Sequence, residues 1–187
     1  LFPFLGGLVT VIDLGSYAFS GASISDRILH GLPTDVGASE YAVDLELLNM
    51  GLEGGNTFSG STAPFDDAAG GCLYVEEGFL TFDLGAVTNC TARFDAGAVS
   101  ATDPGGGGIA ALGGAVLRDI LFQSNLANFR NGGGAFLAGD VEIVSSTFEF
   151  NTTNYSAGPP GGGGVGGGLA WVDGTGASID IRNSAIG

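Results

Sequence analysis

The sequence predicts an all-β protein built as a parallel β-helix, a solenoid of stacked coils with glycine-rich loops between them. Three observations predict it: short runs that alternate apolar and polar residues, glycine clusters that recur along the chain, and two octapeptides that match position by position. The octapeptides are Val141–Phe148 (VEIVSSTF) and Ile179–Ile186 (IDIRNSAI). A β-sandwich or jelly roll is the alternative, but sandwich strands do not repeat their sequence with glycines at the same places.

The alternating runs are the expected strands. An apolar residue at every second position places one face of a strand on a core and the other face in solvent. Segment Tyr41–Met50 (YAVDLELLNM) fits a short helix as well as a strand. The alternating runs are Leu8–Leu14, Leu73–Val75, Phe79–Leu84, Val141–Val144 and Ile179–Ile181.

Glycine clusters divide the later part of the chain into repeats of about 20 to 38 residues, a spacing typical of solenoids. Most clusters are followed at once by small and apolar residues. We therefore expect two regions: a β-rich N-terminal segment over residues 1–69, serving as an assembly arm or cap, and β-helix repeats over residues 70–187. Residues 156–164 (SAGPPGGGG) fit a loop inserted between coils. The clusters are Gly70–Gly71, Gly105–Gly108, Gly113–Gly114, Gly132–Gly134, Gly161–Gly164 and Gly166–Gly168.

The matched octapeptides predict which side chains stack. Equivalent residues of neighbouring coils lie about 4.8 Å apart, so inward positions form apolar columns. We expect Ile143 and Ile181 to lie inward on neighbouring coils in parallel strands. Glu142 and Asp180, one residue out of phase, are expected to face water.

Composition and charge exclude several kinds of partner. The 187 residues include 36 glycines, 20 carboxylates and five arginines but no lysine, for a formal charge of −15. Nucleic acids and anionic membranes bind clustered lysine and arginine, so neither is an expected partner. An apolar content of 44% is too high for an acidic disordered tail. The initial apolar run is shorter than the roughly 20 residues that a membrane-spanning helix needs, so no membrane insertion is expected.

Two cysteines predict one disulfide. Cys72 and Cys90 are separated by 18 positions, about one small coil, and stacking brings such residues within the Cα separation of roughly 4.4–6.8 Å that a disulfide requires. Alternation turns Cys90 inward and leaves Asn89 facing solvent. A pair of buried thiols is the alternative.

Three glycosylation sequons, at Asn89, Asn151 and Asn154, favour an extracellular or cell-surface location together with the absence of lysine and the acidic composition. Asn151 has a second interpretation. It aligns with Asn125, and repeated asparagines at a β-helix corner stack inward and hydrogen-bond the backbone. That arrangement would bury Asn151 and exclude a glycan, which leaves Asn154 and Asn89 as the better acceptors.

The repeat motifs resemble a known family. GGAV at Gly113–Val116 and GGAF at Gly133–Phe136 are each followed by FxxN, at Phe122–Asn125 and Phe148–Asn151, and Gly167–Ala170 is a degraded third copy. These resemble the paired GGA[ILV] and FxxN repeats of the polymorphic outer-membrane proteins, a family of autotransporter passengers. The resemblance covers residues of about 105–187. It implies a right-handed parallel β-helix exposed on a cell surface and used in adhesion.

No constellation of residues predicts catalysis or a cofactor. The carboxylate pairs Asp66–Asp67 and Glu76–Glu77 are adjacent in sequence, so within one strand their side chains point to opposite faces. His30 has no second imidazole with which to share a metal and is interpreted as structural. We therefore expect no enzyme activity, no catalytic or metal-binding residues and no cofactor. The arginines are scattered, at Arg27, Arg93, Arg118, Arg130 and Arg182.

The favoured hypothesis is a non-catalytic extracellular structural or adhesive subunit that assembles with copies of itself into a surface fibre or filament. Solenoids expose unpaired strand edges unless they are capped, and Asn183–Gly187 falls within a repeat. The alternative to self-assembly is that the chain is a fragment whose caps lie outside it. An apolar N-terminal segment with nothing nearby in sequence to pair with would cover a neighbour's edge. Glycans are further candidate partners, and a carbohydrate-binding or polysaccharide-cleaving β-helix is the alternative function. The segment's apolar residues are Leu1, Phe2, Phe4, Leu5, Leu8, Val9, Val11 and Ile12.

Overall fold

The computed structural model describes residues 8–13, 18–20, 29–31, 34–36, 39–41, 43–59, 69–94, 105–128, 131–154, 166–173 and 176–187. All regular secondary structure in these ranges is β-strand. Most of segment Tyr41–Met50 lies in β6. The strands in chain order are β1 (Leu8–Asp13), β2 (Ala18–Ser20), β3 (Leu29–Gly31), β4 (Thr34–Val36), β5 (Ser39–Tyr41), β6 (Val43–Glu53), β7 (Asn56–Ser59), β8 (Leu73–Val75), β9 (Leu80–Thr88), β10 (Thr91–Phe94), β11 (Ile109–Ala111), β12 (Ala115–Gln123), β13 (Leu126–Asn128), β14 (Ala135–Ala138), β15 (Val141–Val144), β16 (Thr147–Glu149), β17 (Thr152–Asn154), β18 (Leu169–Val172), β19 (Ile179–Arg182) and β20 (Ala185–Ile186).

Three parallel sheets form the sides of a solenoid. Sheet 1 has the strand order β1-β6-β9-β12-β15-β19, and β2, β16 and β20 pair alongside these strands. Sheet 2 has the order β3-β8-β11-β14-β18, and sheet 3 has the order β7-β10-β13-β17. Among the strands described, β4 and β5 alone pair antiparallel.

Each coil passes from sheet 2 to sheet 1 and then to sheet 3. Residues 69–94, 105–128 and 131–154 provide one such coil each. This architecture confirms the predicted parallel β-helix and excludes the sandwich. Ile143 pairs with Ile181 in parallel strands, and Glu142 pairs with Asp180 one position earlier, as the octapeptides predict.

The stacked region begins before residue 70. β6 pairs in parallel with β9 from Leu45 opposite Leu80 to Glu53 opposite Thr88, and β7 pairs in the same way with β10. Residues 43–59 therefore belong to the same sheets as the later coils, and the expected division at residue 70 does not divide the solenoid. Residues before 70 carry no GGA motif, so the sequence repeat is not visible there. The loop expected over residues 156–164 lies outside the described residues.

The interior of the solenoid is filled by columns of apolar side chains. One column in sheet 1 runs through Leu47, Phe82, Leu117 and Ile143, all fully buried. In a neighbouring column the rings of Phe122 and Phe148 stack with centroids 4.4 Å apart and planes 7° from parallel. Stacking follows from the parallel register, which places like side chains directly over one another.

The bends within a coil are formed by residues with left-handed backbone conformation, some of which lie inside a strand and some between two strands. Neighbouring coils place these residues next to one another, since the flanking positions pair in register. Asparagine, aspartate and serine tolerate this conformation better than branched or bulky residues. The first bend is formed by Asn49, Leu84, Asp119, Ser145 and Asn183, with φ between 51° and 55°.

Glycine is required at the turn into sheet 2. Gly106 and Gly132 occupy equivalent positions there, with φ of 73° and 67°. A Cβ atom on Gly106 would overlap the carbonyl oxygen of Ile109, and one on Gly132 would overlap that of Ala135. Turn geometry therefore explains part of the glycine clustering.

Both faces of sheet 2 are buried. The side chains that point away from the solenoid interior form a second apolar cluster, which includes Tyr74, Ala110, Phe136 and Ala170. Each of these four side chains is at most 7% exposed. The sheet thus lies inside the protein, which the alternation of its short strands does not predict.

Candidate functional site

Charged side chains form a ladder across the outward face of sheet 1. They occupy outward positions of β9, β12, β15 and β19, where neighbouring strands lie close enough for opposite charges to meet. Arg118 lies 3.7 Å from Asp83 and 3.2 Å from Glu142. Arg182 contacts Glu142 as well and lies 3.2 Å from Asp180. Glu142 therefore joins two arginines, and the five residues form one ionic network, named here the ionic ladder.

A shallow groove of about 370 Å³ lies beside this ladder. Phe79 and Val116 supply its apolar lining, and Glu142, Asp180 and Arg182 supply charged lining. At one end, the Asp140 carboxylate accepts hydrogen bonds from the backbone N–H (2.9 Å) and the hydroxyl (3.1 Å) of Ser178. The groove therefore combines a small apolar surface with polar and charged side chains that hydrogen-bond or pair with one another.

The arrangement of the groove suits binding of a polar molecule more than proton transfer. Glu142 and Asp180 face each other across neighbouring strands, but both are already engaged by arginine. No group of three or more His, Cys, Asp or Glu side chains within the described ranges is placed to hold a metal ion.

Most residues considered for chemistry from the sequence lie elsewhere. Glu76 and Glu77 follow β8 and are not among the residues that line the groove, and Glu77 is exposed. His30 lies in β3, and its side chain is not among those described. Asp66 and Asp67, with Arg27 and Arg130, lie outside the described residues.

The two repeated asparagines form a buried hydrogen-bonded pair. The side-chain oxygen Oδ1 of Asn125 accepts a bond from the backbone N–H of Cys90 (3.0 Å), and its Nδ2 donates to the carbonyl oxygen of Val87 (2.8 Å) and to Oδ1 of Asn151 (2.9 Å). Nδ2 of Asn151 donates to the carbonyl oxygen of Phe122 (2.9 Å). The pair thus satisfies backbone groups at the bend between sheets 1 and 3.

This pair corrects one sequon candidate. Asn151 is 6% exposed, and the nitrogen that would carry a glycan is used in the hydrogen bond to Phe122. The folded chain therefore leaves no room for a glycan at Asn151. Asn89 and Asn154 are both exposed, in agreement with the expectation that they are the better acceptors.

Cys72 and Cys90 are joined by a disulfide with a Cα–Cα distance of 5.5 Å. Both side chains are fully buried, and the sulfur of Cys72 also accepts a hydrogen bond from the backbone N–H of Gly55 (3.2 Å). The bond links the entry into β8 with the entry into β10, so it ties sheet 2 to sheet 3 across the interior.

The proposed self-assembly segment has a partner within its own chain. Leu8, Val9, Val11 and Ile12 lie in β1, which pairs in parallel with β6, with Ile12 opposite Leu47. The partner strand lies about 35 residues further along the chain, so this part of the segment fills the sheet position next to β6 in its own chain. The remaining apolar residues of the segment, Leu1, Phe2, Phe4 and Leu5, lie outside the described residues.

The opposite end of sheet 1 exposes apolar side chains. Ile181 in β19 is 42% exposed and Ile186 in β20 is 45% exposed. Their neighbours on the preceding coil, Ile143 and Phe148, are at most 1% exposed. The predicted stacking of Ile181 on Ile143 is therefore present. Within this column Ile181 is covered by Ile143 on one side, and its side chain is exposed in part.

The ionic ladder is the feature that sequence reasoning missed. The arginines look scattered along the chain, yet Arg118 and Arg182 align with the same position of the repeat as Val144. The repeat alignment was the signal that could have found them. Arg93 lies instead on sheet 3, where its guanidinium is 5.5 Å from the ring centroid of Phe58.

The described part of the chain contains no helix long and apolar enough to cross a membrane. Comparison of the chain with protein-family models, with curated proteins and with solved structures finds no match. The similarity to the polymorphic outer-membrane proteins therefore depends on the GGA and FxxN residues alone.

Proposed function

We propose that the chain is a non-catalytic structural or adhesive subunit that assembles with copies of itself into a fibre or filament. The observation that carries this proposal is the exposure of Ile181 and Ile186 in β19 and β20, although their partners on the preceding coil, Ile143 and Phe148, are buried. Covering such a column removes apolar surface from water and pairs free backbone groups of an edge strand.

Negative-stain microscopy and light scattering of the purified chain test the proposal. We expect filaments or a series of oligomers whose mean mass rises with protein concentration. A monodisperse monomer at the highest soluble concentration would overturn it.

The proposed location is the cell exterior or surface. The buried disulfide, which persists in oxidising compartments, supports it, as do the exposed sequon residues Asn89 and Asn154. Expression through a secretory pathway should give glycosidase-sensitive bands that Asn89→Gln and Asn154→Gln each remove, while Asn151→Gln removes none. A glycan that depends on Asn151 alone would contradict the buried asparagine pair, and absence of a glycan from both Asn89 and Asn154 would remove the sequon argument for this location. Glycans are the proposed adhesive partners.

A second candidate function, binding of a carbohydrate, is favoured by the groove beside the ionic ladder. Phe79 offers an apolar surface next to Glu142 and Asp180, which accept hydrogen bonds of the kind that sugar hydroxyls donate. Titration with neutral oligosaccharides, followed by chemical shifts of the groove residues, tests it. The control is a uronate oligosaccharide, which the acidic chain should repel. No shift with either ligand would remove this candidate, and release of reducing ends would make the chain an enzyme.

A further inference from the structure

The sequon at Asn89 shares its middle residue with the disulfide. Asn89, Cys90 and Thr91 form this sequon, and Cys90 is fully buried and bonded to Cys72. Asn89 itself is exposed at a bend, with φ of 55°. One segment of three residues therefore carries both a candidate glycan acceptor and one half of a disulfide.

The backbone of this sequon is fixed between two neighbouring coils. The N–H of Asn89 donates to the carbonyl oxygen of Gln123 (3.1 Å), and that of Thr91 donates to the carbonyl oxygen of Gly55 (2.8 Å). The N–H of Cys90 donates to the buried asparagine pair (3.0 Å). All three backbone donors of the sequon are thus engaged, two with the following coil and one with the preceding coil.

Thr91 lies in β10, which has a strand on each side. It pairs in parallel with Asn56 of β7 and with Leu126 of β13. The chain also packs closely against its backbone, since a Cβ atom on Gly71 would lie 2.6 Å from the backbone nitrogen of Thr91. The sequon therefore leaves this position only when β10 separates from its neighbours.

Transfer of a glycan requires a sequon that is open. An oligosaccharyltransferase binds the segment as an accessible loop, holds the threonine hydroxyl and joins Nδ2 of the asparagine to the anomeric carbon of a lipid-diphosphate-linked oligosaccharide. The bond from that carbon to the diphosphate breaks, the lipid diphosphate leaves, and Nδ2 releases one proton. A sequon fixed between two strands does not fit such a site.

The folded chain nevertheless has room for the finished glycan. Nδ2 of Asn89 donates to Oε1 of Glu53 (3.3 Å), and both side chains are exposed. A glycosylated amide keeps one of its two N–H groups, which is enough for this hydrogen bond. The glycan is therefore compatible with the fold, although its transfer to the folded chain is not.

We infer that Asn89 is glycosylated only before the Cys72–Cys90 disulfide closes, so that glycan transfer and oxidation compete for one segment of the new chain. The inference rests on the proposed extracellular location. Cys72 is synthesised before Cys90, so its thiol is present when the sequon appears, and oxidation takes seconds or longer. Asn125, which fixes the N–H of Cys90, follows 35 residues later, or about 2–7 s at typical rates of synthesis. Both steps fall within seconds, and partial occupancy of Asn89 is expected.

Glycan occupancy with and without the disulfide tests the competition. The chain is expressed through a eukaryotic secretory pathway with or without dithiothreitol, and glycosylated and unmodified Asn89 are measured by mass spectrometry of peptides. Dithiothreitol should raise the ratio of the two forms about threefold or more, because it delays oxidation. In Cys72→Ala, which keeps the sequon intact, the ratio should already be raised and dithiothreitol should add nothing. The ratio at Asn154 in the same samples is the control.

Transfer to the purified chain tests the need for an open sequon. The native oxidised chain, prepared without glycans, is incubated with an oligosaccharyltransferase and a lipid-linked oligosaccharide. A reduced synthetic peptide of residues 86–94 supplies the same sequon in an open form. The peptide should be modified about tenfold faster or more, because the native chain reacts only after local opening.

The outcomes separate this inference from the proposed location. Equal rates for the peptide and the native chain overturn the inference and leave the location standing. A rise with dithiothreitol that persists in Cys72→Ala, or that is equal at Asn89 and Asn154, overturns it as well. The same holds for complete glycosylation of Asn89 in the untreated chain. Absence of a glycan from both asparagines, in every variant and condition, overturns the inference and removes the sequon argument for the location.

Discussion

Asn125→Asp is the sharpest test of the buried asparagine pair, because it changes one atom and keeps the shape of the side chain. The substitution replaces Nδ2, which donates to the carbonyl oxygen of Val87 and to Oδ1 of Asn151, by an oxygen that donates nothing. The other oxygen keeps its bond from the N–H of Cys90. Asn125 is fully buried, so water does not replace the lost donor.

The size of the effect follows from the two hydrogen bonds that disappear. The carbonyl oxygen of Val87 loses its Asn125 donor, and a buried polar group left without its partner costs about 1–3 kcal/mol. Oδ1 of Asn151 still accepts from the backbone N–H of Asn125 (3.1 Å), so the lost bond to Nδ2 adds about 0.5–1.5 kcal/mol, and the free energy of unfolding should fall by about 1.5–4.5 kcal/mol in all. In a chain of this length each kcal/mol lowers Tm by about 2–4 °C, so a decrease of roughly 3–18 °C is expected.

The effect should depend on pH in a defined direction. Burial favours the neutral form of the carboxyl introduced at position 125, so its pKa in the folded chain lies above the value of about 3.9 for an exposed aspartate. Below about pH 4 the group is protonated in both states, and its O–H donates to Val87 or Asn151. As pH rises through the raised pKa the donor is lost, so the deficit relative to the natural chain grows.

Urea unfolding followed by the fluorescence of Trp171 measures these free energies at several pH values. The matched control is Asn154→Asp, because Asn154 is exposed on β17 and the same change there should stay within about 0.5 kcal/mol. The reasoning is refuted if the two variants lose the same stability, or if the deficit of Asn125→Asp does not change with pH.

Three further predictions concern the disulfide, one bend and the ionic ladder. Replacing Cys72 and Cys90 by serine should lower the free energy of unfolding by about 3 kcal/mol, because the disulfide closes a loop with a sequence separation of 18. Reductant should lower the free energy of unfolding of the natural chain equally, and unchanged urea midpoints would contradict this prediction. Leu84→Asn should raise the free energy of unfolding by about 1 kcal/mol, because φ of Leu84 is 55° and asparagine tolerates it; a lower Tm would count against the strain argument. Glu142→Gln should lower the free energy of unfolding by at most about 1 kcal/mol, because the ionic ladder is partly exposed, and this decrease should become smaller in added salt. A loss of several kcal/mol would contradict this prediction and show that the ladder supports the fold.

The sequence alone determined the elements that repeat. A side-chain period of two and the matched octapeptides are enough to place Ile143 beside Ile181, since parallel stacking puts equivalent residues over one another. The same periodicity indicated that Cys90 points inward while Asn89 faces water, and it gave Asn151 a buried interpretation beside its sequon. These features depend only on the spacing of residues along the chain, and that spacing can be read from the sequence.

Only the tertiary structure decided what stands opposite each face. Tyr74 and Phe136 point away from the solenoid interior and are still buried, in a second apolar cluster that Leu112 and Val172 pack against. Ile181 points inward and is still partly exposed, because its column is covered on one side alone. Pairing of β1 with β6 likewise depends on a distant segment. Alternation along a strand predicts to which face of the sheet a side chain points, whereas burial also depends on the residues that the fold packs against that face.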